Sequence, residues 1–236
     1  RDASRRPGAR RRVVYNGADA AGGMLRINEI FYTIQGESTF AGRPCVFVRL
    51  SGCDLRCAWC DTVYAFAEGD LRTVDAIARE VDAYGCPLVE ITGGEPLIQP
   101  DVYPLMDRLI ADGLTVLLET GGHRSLARVP PAVVKVMDIK CPASGQAQAM
   151  DWSNLDLLLP HDEVKLVIAD RGDYEYARRI VSAHDLDRRC HAVLLSPVHG
   201  VLEPSKLAAW VLADRLPARV QLQLHKIIWG AGKRGV

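Results

Sequence analysis

The chain has 236 residues, of which 48% are apolar and 25% charged, and its formal net charge is zero at pH 7. These values are typical of a soluble globular protein with a substantial core, and the neutral balance gives no reason to expect a nucleic-acid or membrane partner. We recognise no signal peptide and no apolar run near the roughly 20 residues that span a bilayer. Seven cysteines, an odd number, favour a reducing compartment over a disulfide-bonded scaffold, so we expect a cytoplasmic protein.

The first 23 residues differ in composition from the rest of the chain. Arginines are interleaved there with Pro, Gly and Ala, and apolar residues show little periodicity. Such a segment cannot bury enough surface to offset its ordering entropy. We therefore predict a flexible basic extension over residues 1–23, followed by one domain over residues 24–236. A solvated leader is favoured over an arm that binds RNA or an acidic partner.

From Met24 onwards, strand and helix patterns alternate. The predicted strands cover residues 27–34, 45–50, 88–92, 115–120, 133–140, 163–169, 191–196 and 220–225. One predicted helix begins after its N-cap Thr73. Three others cover residues 101–112, 174–183 and 205–213. Apolar strands alternating with helices indicate an α/β fold with parallel strands and right-handed crossovers, either a doubly wound sheet or a complete or partial barrel.

Three cysteines follow the strand at residues 45–50 with the spacing C-x3-C-x2-C: Cys53, Cys57 and Cys60. Three thiolates can bind a [4Fe–4S] cluster and leave one iron without a protein ligand, which suggests a cluster that binds and reacts with a molecule. A zinc site, a disulfide and coincidence are the alternatives. A structural zinc site needs four ligands, and no second pair follows downstream, so the spacing favours an iron–sulfur cluster.

Several polar or glycine-rich motifs follow the predicted strands directly. Because the carboxyl ends of parallel strands meet at one edge, we expect these motifs to lie beside the cysteines and to form the active site. They are 92–95 (Thr-Gly-Gly-Glu), 119–122 (Glu-Thr-Gly-Gly), 138–140 (Asp-Ile-Lys) and 196–197 (Ser-Pro).

The cysteine motif, together with the Gly-Gly-Glu-Pro at residues 93–96, resembles the radical S-adenosylmethionine (SAM) superfamily. With Gln-Gly-Glu at 35–37, Arg49 and the tail at 225–236, the chain resembles the 7-carboxy-7-deazaguanine synthase family over residues 24–236. The resemblance implies a partial (β/α)6-type TIM-like barrel with parallel strands and a C-terminal tail that reaches the active site. It also implies a homodimer with a [4Fe–4S] cluster, SAM, Mg²⁺ and a flavodoxin- or ferredoxin-type reductant.

The activity implied by this resemblance is the conversion of 6-carboxy-5,6,7,8-tetrahydropterin into 7-carboxy-7-deazaguanine with loss of ammonia. This product feeds queuosine and other 7-deazapurine pathways. Two alternatives remain: a glycyl-radical-activating enzyme, which uses the same cysteine spacing, and a non-enzymatic iron–sulfur or zinc module. Neither accounts for the Gln-Gly-Glu motif or the tail.

The resemblance also implies roles for individual residues. The implied metal ligands are Cys53, Cys57 and Cys60 for the cluster and Thr62 for Mg²⁺. The implied cofactor contacts are Trp59, Cys60, Asp61, Gly94, Glu95, Asp138, Ile139, Lys140 and Ser196. The implied substrate contacts are Ile34, Gln35, Gly36, Glu37, Arg49, Thr92 and Val236.

The residues themselves leave other roles open. Arg49 could form a structural ion pair with Glu37 or Asp54, and Thr62 could cap a turn. Gly94 is expected to leave the backbone open so that the SAM amino group can approach, with Glu95 as its acceptor. The remaining cysteines, at 45, 86, 141 and 190, are expected to be structural.

Overall fold

The computed structural model describes residues 23–236, so the predicted extension, except for Gly23, lies outside the described residues. Its centre is a nine-stranded sheet with the order β3-β1-β2-β4-β5-β6-β7-β8-β9. β1 is antiparallel to β2 and β3, whereas β2 and β4 to β9 run parallel. The strands are β1 Met24–Ile34, β2 Pro44–Leu50, β3 Asp70–Thr73, β4 Leu88–Gly93, β5 Thr115–Thr120, β6 Val134–Asp138, β7 Glu163–Ile168, β8 Ala192–Pro197 and β9 Arg219–Val220.

Two of the helices begin at a side-chain N-cap. Thr73 accepts a hydrogen bond from the Ala76 amide at 3.2 Å, and Asp170 accepts one from the Asp173 amide at 2.9 Å. Each side chain satisfies an amide that the helix leaves unpaired. The helices are α1 Val74–Ala83, α2 Val102–Ala111, α3 Arg171–Ala183, α4 Leu186–Arg189, α5 Pro204–Asp214 and α6 Leu224–Ile228.

The two faces of the parallel strands differ in chemistry because side chains alternate along a strand. On β2, Val46 and Val48 are fully buried in the hydrophobic core, whereas Arg49 lines a cavity. On β7, Val164 and Leu166 lie in the core and Lys165 lines the same cavity. The sheet therefore presents an apolar face to the core and a charged face to the interior, which confirms the α/β partial barrel with parallel strands.

The predicted strand at 220–225 is wrong. β9 contains two residues, and Leu224–Ile228 forms a short helix instead. The alternating polar and apolar residues at 221–224 suggest a strand, but pairing with β8 ends at Gln221, whose amide donates to the Leu195 carbonyl at 2.9 Å. The side chains of Gln221 and Gln223 donate hydrogen bonds to interior groups. The sequence analysis also missed the edge strand β3. It did not predict that 3-10 turns, and no α-helix, connect β6 to β7.

The sheet does not close into a full ring, because β3 and β9 stand at opposite ends of its order. On the open side, the segment 35–43 after β1 contacts the region around α6. The Leu224 amide donates to the Gly36 carbonyl at 3.0 Å, and Gln223 donates to the Glu37 carboxylate at 2.8 Å. We call this junction of 35–43 with 221–228 the seam. It brings a loop from the start of the fold beside its last helix.

Within residues 23–236, none of the helices has the length and apolarity needed to cross a membrane.

Candidate functional site

A cavity of about 610 Å³ lies at the interior face of the sheet and the carboxyl ends of its strands. A volume of this size suits a cofactor together with a small substrate. The structure brings all of the residues implied as site residues to this cavity except Ile139 and Ser196. Ile139 is fully buried in the hydrophobic core, and Ser196 is buried where Gln221 contacts its hydroxyl at 3.3 Å.

The three cysteines of the motif share one wall of the cavity. Cys53, Cys57 and Cys60 are half-buried free thiols. Burial raises the pKa of Cys53 and of Cys57, and Lys140 partly opposes this for Cys57. Bound iron deprotonates its thiol ligands, and each thiolate of a [4Fe–4S] cluster binds a different iron. Three accessible, unpaired thiols on one cavity wall therefore fit such a cluster.

Gly94 is required by close packing of the backbone. A Cβ atom at Gly94 would lie 2.0 Å from the Gly52 carbonyl oxygen and 2.8 Å from Cys53 Cβ. The Glu95 amide also donates to the Gly52 carbonyl at 2.8 Å. Gly94 thus lets the loop after β4 pack directly against the start of the cysteine loop, a reason that the sequence did not reveal.

Glu95 is occupied by contacts within the protein. Its carboxylate is 1% exposed and accepts hydrogen bonds from the Thr120 hydroxyl at 2.8 Å and from the amides of Leu97 and Gly121 at 3.1 and 2.8 Å. These donors reach both carboxylate oxygens. The carboxylate holds the loops after β4 and β5 together, and its expected contact with the SAM amino group stays a prediction.

Asp138 and Lys140 form an ion pair at the end of β6, with Lys140 Nζ 2.8 Å from Asp138 Oδ2. Burial would lower the pKa of Lys140, but the Asp138 carboxylate outweighs burial and raises it. Asp138 Oδ1 is buried and has no hydrogen-bond partner within the described residues. An unpaired buried acceptor is costly, and a ligand hydroxyl is a group that would satisfy it, so this end of the cavity fits SAM.

Lys165 is the centre of an ionic network that the sequence did not predict. Its Nζ lies 2.9 Å from Glu37 Oε2 and 3.8 Å from Asp138 Oδ2, and it also donates to Glu119. Burial would raise the pKa of Glu119, but Lys165 lowers it to about 2. Glu119 accepts in addition from the Thr92 hydroxyl at 2.9 Å. One buried cation therefore connects predicted substrate and cofactor contacts.

Glu90 and Gln35 form a second buried pair that lines the cavity. Gln35 Nε2 donates to Glu90 Oε2, and Gln35 Oε1 accepts from the Glu37 amide at 3.0 Å. Burial, followed by the charges of Glu119 and Glu37, raises the pKa of Glu90 well above its usual range. The amide of Gln35, expected to contact a pterin, is therefore engaged within the protein and shapes the loop that carries Glu37.

Arg49 pairs with Glu29, which is neither of the partners considered from the sequence. Arg49 Nε donates to Glu29 Oε1 at 2.8 Å, and the Tyr64 hydroxyl donates to the same oxygen at 3.0 Å. Burial is the main reason that the pKa of Tyr64 rises to about 12. The arginine remains in the cavity lining, so its expected contact with a substrate carboxylate stays a prediction.

Asp61 and Thr62 lie next to each other on the cavity wall beyond the last cysteine. The Thr62 hydroxyl donates to Asp61 Oδ1 at 2.9 Å, and Lys226 Nζ lies 2.6 Å from Asp61 Oδ2. Burial would raise the pKa of Asp61, but Lys226 outweighs it and lowers the pKa to about 2. Thr62 precedes a 3-10 turn without capping it through its side chain. Trp59 lines the cavity close by.

The last residues of the chain return to the cavity. The guanidinium of Arg234 lies 3.8 Å from the centroid of the Tyr64 ring and 3.4 Å from the Glu68 carboxylate. Val236 lines the cavity together with the residues before it. The tail at 231–236 thus lies over the same wall that carries Tyr64.

Charged residues inside apolar strands are the signal that would have identified the missed residues. Glu90 and Lys165, which the sequence analysis missed, and Glu119, which it placed at the active edge, each occupy a cavity-facing position in a mostly apolar strand. A buried charge requires a partner or a ligand. The alternation within these strands therefore contained the information, although it did not indicate which charges pair.

Comparison with known proteins gives consistent matches. The profile of the Radical SAM superfamily matches residues 47–193. The 7-carboxy-7-deazaguanine synthase of Koribacter versatilis is 47% identical over 226 residues, covering 90% of this chain and 100% of that protein. The synthase of the same name from Chlorobaculum tepidum is 47% identical over 215 residues, covering 90% of this chain and 97% of its own length. The crystal structure of QueE from Escherichia coli has a similar fold, with a TM-score of 0.71 and 24% identity, covering 85% of this chain and 94% of QueE.

Proposed function

The chain belongs to the Radical SAM superfamily and to the family of the 7-carboxy-7-deazaguanine synthases, and from this premise we propose that it converts 6-carboxy-5,6,7,8-tetrahydropterin into 7-carboxy-7-deazaguanine and ammonia. It is a radical SAM lyase with a [4Fe–4S] cluster and SAM. The observation that carries the proposal is that three free cysteines and the 35–37 segment line one cavity. A glycyl-radical-activating enzyme or a zinc module is not favoured, because synthases match this chain over nine-tenths of its length.

Cys53, Cys57 and Cys60 are the proposed cluster ligands. When bound, the cluster supplies the electron that cleaves SAM and begins radical chemistry. The protein's part is to bind and orient the reactants and to keep water away from a reactive species. Asp138 and Lys140 orient SAM at the end of β6, and Trp59, Asp61, Gly94 and Glu95 complete its surroundings, with the backbone of Ile139 and the Ser196 region further out.

The substrate lies on the side of the cavity that Glu37, Arg49 and Thr92 line. Arg49 provides a fixed positive charge for the pterin carboxylate, since a guanidinium binds carboxylates in a fixed geometry. Glu37 and Glu119 provide carboxyl oxygens as acceptors for the amino and ring N–H groups of the pterin. Ile34, Gly36 and the tail through Val236 complete the proposed substrate contacts.

Thr62 is the proposed protein ligand of Mg²⁺, and the substrate carboxylate and water would supply the other oxygens. The support is that Thr62 and the half-exposed Asp61 stand together at the cavity wall between the cysteines and Tyr64. A Thr62→Ala variant tests this role, because it should require several-fold more Mg²⁺ for half-maximal activity. Unchanged magnesium dependence would discard the ligand role.

We further propose that residues 24–236 form one domain, that the enzyme is a homodimer, and that a flavodoxin- or ferredoxin-type protein reduces the cluster in the cytoplasm. The family supports the dimer, and large apolar side chains are exposed around the last helix, with Ile227 at 62% and Trp229 at 48%. Exposed apolar groups of this kind commonly mark interfaces. Seven free cysteines agree with a reducing compartment.

The direct test is anaerobic reconstitution with iron and sulfide, followed by addition of SAM, dithionite, Mg²⁺ and the carboxypterin. We expect 7-carboxy-7-deazaguanine by mass spectrometry, and we expect Cys57→Ser to abolish both the cluster absorbance and the product. Cys86→Ser is the matched control, because this thiol is buried away from the cavity and donates to the Pro44 carbonyl. SAM cleavage without this product would reject the substrate and leave radical chemistry in place.

A further inference from the structure

The cysteine loop is connected to the segment after β5 through one carboxylate. Asp54 follows Cys53, and its Oδ1 lies 2.6 Å from His123 Nε2. The other oxygen of Asp54 accepts a hydrogen bond from Arg124. Two consecutive side chains of one loop therefore contact a single carboxylate inside the cysteine motif.

The two contacts differ in how far water can compete with them. The His123 side chain is 6% exposed, whereas that of Arg124 is 47% exposed and that of Asp54 itself 37%. An exposed ion pair contributes little, because solvent screens it. A hydrogen bond between a buried ring and a carboxylate is stronger and has a fixed direction. The contact with His123 is therefore the one that can fix the position of Asp54.

The other side of the His123 ring faces the Gly-Gly-Glu loop. His123 Nδ1 is buried without a hydrogen-bond partner in the described part of the chain, 3.7 Å from Glu95 Oε2. A Cβ atom at Gly121 would lie 3.0 Å from that nitrogen, so little free space surrounds the ring. The imidazole thus fills the gap between the cysteine loop and the loop after β4.

We propose that His123 is a positioning residue for the iron–sulfur cluster, which acts through Asp54 to keep the start of the cysteine loop in its iron-binding shape. It contacts neither iron nor substrate in this role. Removing a side chain that holds metal ligands in position commonly lowers metal affinity by about 10- to 100-fold. The inference rests on the proposed ligation by Cys53, Cys57 and Cys60.

The test measures how well the full-length, anaerobically reconstituted enzyme retains its cluster. Wild type and variants are exposed to a ferrous chelator, and iron release and the loss of visible absorbance are followed over time. His123→Ala should lose iron about 10-fold faster than wild type. His123→Gln should retain most of the stability, because its side-chain amide can still donate to Asp54. His191→Ala is the matched control, because this histidine is exposed and outside the cavity.

A second variant separates positioning from folding. Asp54→Leu keeps the branched shape of the side chain but removes the acceptor, and the His123 ring stays in place. It should also release iron about 10-fold faster, with the thermal unfolding of the iron-free protein unchanged. Iron release at the wild-type rate from both His123→Ala and Asp54→Leu would overturn the inference. Failure of the wild type itself to bind iron would instead reject the ligation and the proposed function.

Discussion

Lys165 Nζ lies 2.9 Å from Glu37 Oε2, although the two residues are 128 positions apart in the chain. Lys165 also contacts Glu119, and its own side chain is 5% exposed. Burial would lower the pKa of Lys165, but Glu119 and Glu37 outweigh it and raise the pKa well above its usual range. The lysine is therefore charged at neutral pH, and it fixes two carboxylates of the cavity.

Replacing Lys165 by Met should weaken both folding and substrate binding. The change leaves the partly buried carboxylates of Glu37 and Glu119 without their cation, so we expect a loss below the about 3–5 kcal/mol that removing one partner of a fully buried pair costs. We expect a lower unfolding temperature and at least a 10-fold lower kcat/KM for the pterin. Lys165→Arg should recover part of the loss. Lys206→Met, at an exposed position of α5, is the control, and equal effects of both Met variants would contradict the role of Lys165.

Glu90→Gln should stabilise the protein in a pH-dependent way. Because the pKa of Glu90 is raised in the folded protein, the folded state binds more protons than the unfolded state above the usual pKa of Glu, and stability falls as pH rises. Glutamine accepts from Gln35 equally well and does not titrate. The gain in the free energy of unfolding should therefore be absent near pH 4 and grow towards pH 8, by up to about 1.4 kcal/mol per pH unit. Thermal unfolding of the cluster-free protein at several pH values measures this gain. A difference between Glu90→Gln and wild type that does not change with pH would contradict a protonated Glu90.

Lys226→Met should change the magnesium requirement. Lys226 Nζ neutralises Asp61, the neighbour of Thr62, at 2.6 Å. Removing this ammonium leaves an uncompensated carboxylate beside the proposed Mg²⁺ ligand, and an added negative charge attracts the cation. We expect the Mg²⁺ concentration for half-maximal activity to fall several-fold. Lys206→Met again serves as the control, and a higher requirement in Lys226→Met would contradict the prediction.

Arg234→Ala should loosen the tail. The guanidinium of Arg234 stacks on Tyr64 at 3.8 Å, a contact worth about 0.5–2 kcal/mol. We expect a 3- to 10-fold higher KM for the pterin with a smaller change in kcat, together with faster tryptic cleavage after Lys226 and Lys233. Arg188→Ala, an exposed arginine on α4, is the control. An unchanged KM with faster cleavage would show that the tail does not contribute to substrate binding.

The sequence predicted the fold well where apolar residues run continuously. The strands at 88–92, 115–120 and 163–169 agree with β4, β5 and β7 to within one residue at each end. The segment at 220–225 failed, because the chain leaves β8 after Gln221, although alternating residues would allow the strand to continue. Gln223 instead donates to Glu37. That partner comes from the other end of the chain, so local patterns did not contain it.

The sequence predicted most of the residues that line the site, but fewer of the contacts between them. Motifs at strand ends placed the cysteines, Thr92 and Lys140 around one cavity, because the carboxyl ends of parallel strands must meet. The pairing of Arg49 with Glu29 and the engagement of Gln35 with Glu90 depend on the register between strands. A single sequence does not determine such distances.

The seam between 35–43 and 221–228 makes the two sides of the barrel unequal in mechanical strength. Between β7 and β8 the chains are joined over six paired residues, whereas the seam depends on one backbone hydrogen bond and a few side-chain contacts. Each such hydrogen bond contributes only about 0.5–1.5 kcal/mol, so this side separates at lower cost than the pair of β7 and β8. We therefore expect the reactants and the product to exchange with solvent by parting the seam, and we expect amide hydrogen exchange at Leu224 to be faster than in β7.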